Sequence, residues 1–124
     1  MREIIFRGKR ADNGEWVYGS LITERNMFDG NLMTMHIQDI EEPYDDNLID
    51  DETVGQYTGL TDKNGVKVFE EDIVRIFDGE YFSGVVKYSN EQGSFTVDDT
   101  SLHYWVSDIE VIGNAHDTPE LLNE

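Results

Sequence analysis

The chain contains no cysteine, which removes disulfides, thiolate metal sites and cysteine nucleophiles together and leaves packing as the source of stability. It also lacks any apolar run near the ~20 residues of a membrane span, and the opening Ile4-Ile5-Phe6 is too short to serve as a signal peptide. A cytoplasmic location without membrane contact is therefore expected. Basic residues are scarce: nine Lys and Arg face twenty-seven Asp and Glu, for a net charge of -18. No Lys or Arg falls between Arg25 and Lys63, and none follows Lys87. A surface of such negative potential disfavours direct binding to nucleic acid. Catalytic signatures are missing too. The serines lack the G-x-S-x-G elbow, and no G-x-G-x-x-G or P-loop is present to cradle phosphates.

What the chain does have is enough apolar material for a core. Hydrophobic residues make up 38% of its 124 positions, including two Trp, six Tyr and six Phe, which places it outside the class too polar to collapse. That length suits one domain burying roughly two-thirds of its unfolded surface.

The pattern along the chain is that of short strands. Ile4 to Arg10, the turn Asp12-Asn13-Gly14 and Trp16 to Ile22 form a β-hairpin signal, because Asn-Gly tolerates the positive φ angles of tight turns. Trp16, Tyr18 and Ile22 share one face by alternation. Leu32 to Ile37 supplies a third strand with Met33, Met35 and Ile37 in phase. From Gln38 to Glu52 no clear period is visible and acids crowd around Pro43, which predicts an ordered acidic loop or a short, poorly specified element. Further strands are expected at Val54–Tyr57, Val66–Phe69, Ile73–Phe77, Gly84–Tyr88, Ser94–Val97, Leu102–Val106 and Ile109–Ile112, punctuated by Lys63-Asn64-Gly65, Asp78-Gly79 and Glu91-Gln92-Gly93. This is the pattern of a sandwich or small barrel. Asp117 or Thr118, followed by Pro119, can start a short terminal helical turn.

Three segments carry a family resemblance: Phe6 to Gly19 (F-R-G-K-R-A-D-N-G-E-W-V-Y-G), Thr53 to Ile76 (T-V-G-Q-Y-T-G-L-T-D-K-N-G-V-K-V-F-E-E-D-I-V-R-I) and Asp108 to Leu122 (D-I-E-V-I-G-N-A-H-D-T-P-E-L-L). Together they resemble the YopX family of phage and prophage proteins. The resemblance implies an all-β protein carried by a mobile genetic element in a bacterial host. It also implies that the N-terminal hairpin or small sheet is followed by an SH3-like small β-barrel. It brings no catalytic residues. The division expected on this basis is an N-terminal β region over 1–52, with its acidic loop at 38–52, and a barrel over 53–124, together forming one compact unit. Glu71 stands where the family's E-G-D-I-V run has glycine, which argues against a tight positive-φ bend at that position.

Candidate sites are few. His36, His103 and His116 lack metal-ligand spacing, so structural or exposed roles are expected of them. Asp62-Lys63-Asn64-Gly65 resembles the start of a calcium loop but has no bidentate Glu at loop position twelve, so it reads as a hairpin turn. No cofactor or metal is expected. Aromatics dominate interface hot spots, which makes Tyr81 and Trp105 candidates for a partner surface. The acidic residues Asp39, Glu41, Glu42, Asp45, Asp46, Asp50 and Asp51 join them on charge. The expected function is a non-enzymatic module that binds another protein or a second copy of itself, as a homo-oligomer. One alternative is a DNA mimic whose carboxylates occupy a host nucleic-acid-binding protein. The least favoured alternative is a metal-dependent hydrolase using Asp39 to Glu52.

Overall fold

The structure, a computed structural model, describes residues 3–42, 46–105 and 107–123, without the side chains of Met33, Asp46 and Asn123. The fold is mostly β, in several antiparallel sheets, with one turn of α-helix and one of 3-10 helix. It divides into two compact units, Met1–Gln56 and Tyr57–Glu124. The division falls four residues beyond the expected boundary at 52, inside a strand.

In the first unit, β1 (Phe6–Arg10) and β2 (Trp16–Arg25) form the hairpin that Asn13-Gly14 predicts, and β3 (Leu32–Asp39) follows on β2. A fourth strand, β4 (Asp46–Thr61), pairs with β3 and also with β1, so the four strands close into a ring of antiparallel ladders. Val17, Ile37 and Ile49 fill it, with Phe6, Leu21 and Val54 packed against them. Gly8 is required there: a Cβ would stand 2.5 Å from Ile49 Cγ2 and 3.3 Å from Ile37 Cδ1. On the outer face Trp16 lies under two cations, Arg7 at 4.8 Å and Lys9 at 5.4 Å from the ring centroid.

The acidic loop expected at 38–52 is corrected by β4, which begins at Asp46. Asp50 takes an outward position and Asp51 and Glu52 a bulge, which conceals the strand. Ile49 is buried between exposed Leu48 and Asp50, as alternation requires. The register with β1 then slips between Lys9↔Asp50 and Arg7↔Gly55, leaving extra residues on β4 that turn Asp51 and Glu52 out to solvent. Thr53 closes this bulge from inside, its hydroxyl accepting the Lys9 N–H (2.8 Å) and donating to the Asp50 carbonyl (2.6 Å). Pro43, Tyr44 and Asp45 lie outside the described residues.

In the second unit the end of β4 pairs with β5 (Lys67–Phe69) across the predicted Asp62–Gly65 turn. β6 (Asp72–Phe77), β7 (Tyr81–Val85) and β11 (Ile109–Asn114) form a sheet ordered β11-β6-β7. β8 (Lys87–Ser89), β9 (Ser94–Val97) and β10 (Thr100–Ser101) form another, ordered β10-β9-β8. β7 and β8 are separated only by the fully buried Val86. The expected strand at Gly84–Tyr88 thus starts at Tyr81 and bends at Val86 to enter both sheets. Val68, Val74, Ile76, Val86, Val97 and Leu102 lie in the core between them.

Leu102–Val106, expected to be a strand, is instead a single helical turn, α1 (Leu102–Trp105), with Val106 outside the described residues. Leu102 and Trp105 are both buried while His103 and Tyr104 face solvent, a spacing of three that suits a turn of helix and not an alternating strand. Ahead of it, Asp98 (φ 51°) and Asp99 (φ 62°) make the tight β9–β10 hairpin turn with two positive φ values. The chain ends in a 3-10 turn at Pro119–Asn123.

Two buried acids organise this unit. Asp62 accepts backbone N–H groups from Asn64 (2.8 Å) and Val66 (2.9 Å) on one oxygen, and from Val111 (2.9 Å) on the other, joining the β4–β5 turn to β11. Burial pushes its pKa up, but the three N–H groups and nearby Lys63 outweigh that and hold it below the usual carboxylate value. Asp72 accepts the Phe69 N–H at 2.7 Å and so closes the Glu70-Glu71 turn. Contrary to the sequence expectation, Glu71 does take a positive φ of 70°. Its N–H donates to Val86 and its carbonyl accepts from Ala115, both at 2.8 Å, so the bend is held from both sides whatever side chain stands there.

Asp62→Asn keeps one acceptor oxygen and turns an amide donor toward Val111, which should cost about 1–3 kcal/mol in denaturant unfolding. Because the folded pKa is depressed, the carboxylate's contribution is complete above the unfolded value of about 3.9 and is lost as pH falls through the lower folded value. The gap between wild type and variant should therefore narrow below about pH 4. Glu71→Gly should raise stability by about 0.5–1 kcal/mol, since glycine enters the left-handed region without the Cβ penalty. A melting temperature unchanged or lowered in that variant would count against a strained Glu71.

Candidate interaction surface

The sheet β11-β6-β7 has one face on the core and one face outward. Val74 and Ile76 point inward, so Ile73, Arg75 and Phe77 point outward. Register carries this across the ladder, placing Val85, Ser83 and Tyr81 of β7 on the same outer face, with Glu110 and Gly113 of β11.

Half of that outer face is covered. Ile73 is fully buried although it points away from the main core. The terminal 3-10 turn packs against β6 and β7. Gly113, paired with Ile73, lies so close beneath it that a Cβ would overlap Thr118 Oγ1 and stand 2.9 Å from Leu121 Cδ1. The other half, carrying Arg75, Ser83, Phe77 and Tyr81, is open.

On the open half, the rings of Phe77 (50% exposed) and Tyr81 (68% exposed) meet at a tilt of 53° with centroids 5.0 Å apart across the Asp78–Glu80 turn. Arg75, Tyr81, Phe82 and Ser83 line a shallow cleft beside them. Glu110, the cross-strand neighbour of Arg75, is engaged by Lys63 at 3.7 Å. Among the described residues, Arg75 and Lys87 are the basic side chains without an ion pair, hydrogen bond or aromatic partner. In a chain with three times as many acids as bases, an unpaired arginine beside two exposed aromatics is a distinctive arrangement.

Of the residues expected to form a partner surface, Tyr81 lies on this face. Trp105 does not, because it is only 9% exposed and packs edge-on to Phe82 (5.7 Å) and Tyr104 (4.8 Å). Its helical turn rotates it into the core, and the exposed aromatic there is Tyr104. The acidic candidates belong to the first unit. Asp39 is tied up accepting the N–H groups of Glu41 (2.7 Å) and Glu42 (3.3 Å), and both glutamates are exposed. Asp50 accepts the Glu52 N–H at 3.2 Å, with Asp51 exposed beside it at the bulge. Asp45 and the Asp46 side chain lie outside the description. Among the described residues no group of three or more His, Asp or Glu is placed to hold a metal ion, and no helix is long and apolar enough to cross a membrane. His36 Nε2 lies 3.2 Å from Thr34 Oγ1 and 3.7 Å from Glu24, His103 is exposed on α1, and His116 sits in the turn after β11.

Sequence reasoning missed Arg75, Phe77 and Ser83 as members of this face. A local signal exists, since residues flanking a short hairpin turn meet across the strands and Phe77 and Tyr81 flank Asp78–Glu80. It also missed Met27 (91% exposed) and Phe28 (95% exposed) at the tip of the β2–β3 hairpin. That tip is an ordered turn: Asn26 Oδ1 accepts the Phe28 N–H (2.8 Å), and the Asn26 carbonyl accepts the Gly30 N–H (2.9 Å). Two large apolar side chains inside a polar turn depart from ordinary turn composition. Met27→Ser with Phe28→Ser should change unfolding free energy by no more than about 0.5 kcal/mol, because side chains this exposed contribute little to the core. The same change should shorten retention on a hydrophobic-interaction column. A marked loss of stability would mean that the tip packs on the fold.

No curated protein matches the chain. Its fold is similar to that of protein EF1440 from Enterococcus faecalis, known from a crystal structure, with a TM-score of 0.62 over 98% of this chain and 99% of that one at 22% sequence identity. The YopX protein family matches residues 5–123, nearly the whole length, and the chain belongs to that family.

Proposed function

We propose that this YopX-family chain is a non-enzymatic accessory protein of phage or prophage origin that acts in the bacterial cytoplasm by binding another protein. The contact is made by the open half of the β11-β6-β7 sheet. The observation that carries this reading is the presence on one face of the exposed, mutually contacting Phe77 and Tyr81 and of the unpaired Arg75. Aromatic and arginine side chains are the types most enriched at interface hot spots, and here they sit on a β-sheet that holds them in place before any partner arrives. We also read the second unit as SH3-like, supported by the strand from Tyr81 to Ser89 that bends at Val86 and serves two sheets.

The test is affinity capture of the tagged protein from a bacterial lysate, at low and high salt, comparing wild type with Arg75→Ala and Tyr81→Ala. A partner held through this face should be lost from both variants, each weakening binding by at least about tenfold, or about 1.4 kcal/mol. A partner captured equally by all three proteins would overturn the assignment of the face. Capture of a DNA-binding protein that DNA competes away and salt abolishes would favour mimicry by the acidic surface instead.

A further inference from the structure

Resting on that reading of the β6–β7 face, we infer that its partner is an extended peptide segment that adds a strand to the open edge of β7. The segment would carry a carboxylate opposite Ser83 and an apolar side chain opposite Tyr81.

The backbone directions follow from the ladder. Val86 donates its N–H to Asp72 (2.9 Å), and at the other end Asp78 donates to Glu80 (3.0 Å). Hydrogen-bonded rows alternate in an antiparallel pair, so Gly84 and Phe82, in register with Val74 and Ile76, direct their backbone groups to β6. Tyr81, Ser83 and Val85 therefore turn theirs away from β6. Among the described residues β7 is the outermost strand of its sheet, so these groups point along an open edge. The strand carries none of the usual guards against edge pairing. Tyr81–Val85 contains no charge and no proline, in a chain of which 29% is charged, and its register with β6 has no bulge.

Space for an added strand is present. The ladder between β8 and β9 begins at Lys87↔Thr96, and a cleft lined by residues of β7, β8 and β9 lies beside that pair. Phe82 to Val85 line it, together with Asp98 and Asp99 of the hairpin turn.

The side chains around the edge select the occupant. An added residue opposite Ser83 lies two strand spacings, about 10 Å, from Arg75. An extended arginine and a glutamate can close that gap across the small serine. The next outward residue falls beside Tyr81 and the Phe77 ring, which suits an apolar or aromatic side chain. A second copy of this chain is a poor occupant. Its own β7 offers no carboxylate to Arg75, and each copy brings a net charge of -18.

The experiment titrates the full-length protein with a fluorescent synthetic peptide, Thr-Val-Thr-Glu-Thr-Phe-Thr, which places Glu opposite Ser83 and Phe opposite Tyr81 in antiparallel addition. Saturable binding should be weakened at least about tenfold by N-methylation at the Glu or Phe residue, whose N–H groups face the edge, while N-methylation at the intervening Thr residues leaves it unchanged. Glu→Gln in the peptide and Arg75→Gln in the protein should each weaken binding several-fold, and combining them should add nothing further. Ser83→Pro removes an outward N–H and no hydrogen bond to β6, so it should abolish binding while the protein keeps its β-sheet circular dichroism. Absence of saturable binding, or equal loss from N-methylation at both kinds of position, would overturn the proposal. In the lysate capture, a partner lost with Tyr81→Ala but retained by Ser83→Pro would leave the face reading standing and overturn strand addition. A partner indifferent to both changes would overturn both.

Discussion

The second unit depends on buried carboxylates that capture backbone N–H groups. Asp62 holds three of them and ties a hairpin turn to a strand far along the chain, and Asp72 closes the bend into β6. A buried ionised group is costly unless hydrogen bonds surround it, and a backbone N–H is as costly when left without an acceptor. Each satisfies the other, and the apolar strands can then be drawn together without stranding either. The same device recurs at the surface, where Asp29, Asp39 and Asp50 each accept an N–H two residues ahead. Part of the acidity of this chain is thus turn chemistry, which gives a structural use to residues that otherwise only repel one another.

Much of the β pattern was legible because its determinants are local. The Asn13-Gly14 hairpin, the Asp62–Gly65 turn and the short apolar runs of β3, β6 and β9 depend on neighbouring residues only. The acidic half of β4 was not legible, because outward positions and a bulge fill it with Asp and Glu while only Ile49 marks the inner face. α1 was misread for a related reason: the two buried residues, Leu102 and Trp105, identify a helical turn only once it is known that Tyr104 between them is exposed. Glu71 shows tertiary context outweighing local preference. The bonds to Val86 and Ala115 fix the backbone on either side, and the remaining strain of about 1 kcal/mol is small beside them.

The proposed interaction face was legible only in part. Phe77 and Tyr81 meet because a short turn separates them, which sequence does show. Arg75 is unpaired for reasons that sequence does not show. Its cross-strand neighbour Glu110 is engaged by Lys63, and the terminal 3-10 turn stops over Ile73 and Gly113 without reaching the Arg75 row. The face is defined by where a cover ends and by which base an acid selects, and both are set by residues distant in the chain.

An uncharged open edge would ordinarily invite pairing between copies. Here the rest of the molecule opposes it. Two chains of net charge -18 repel as they approach, and although physiological salt screens that force beyond about 8 Å, edge pairing requires backbones to come within about 5 Å. The repulsion is strongest at the separation where self-pairing would begin. The proposed peptide segment, with one carboxylate, would meet far less of it and would reach Arg75 at close range. On the strand-addition proposal, the acidity of the chain and the bareness of β7 would be two parts of one arrangement, in which charge protects the edge from its own kind and leaves it open to a different strand.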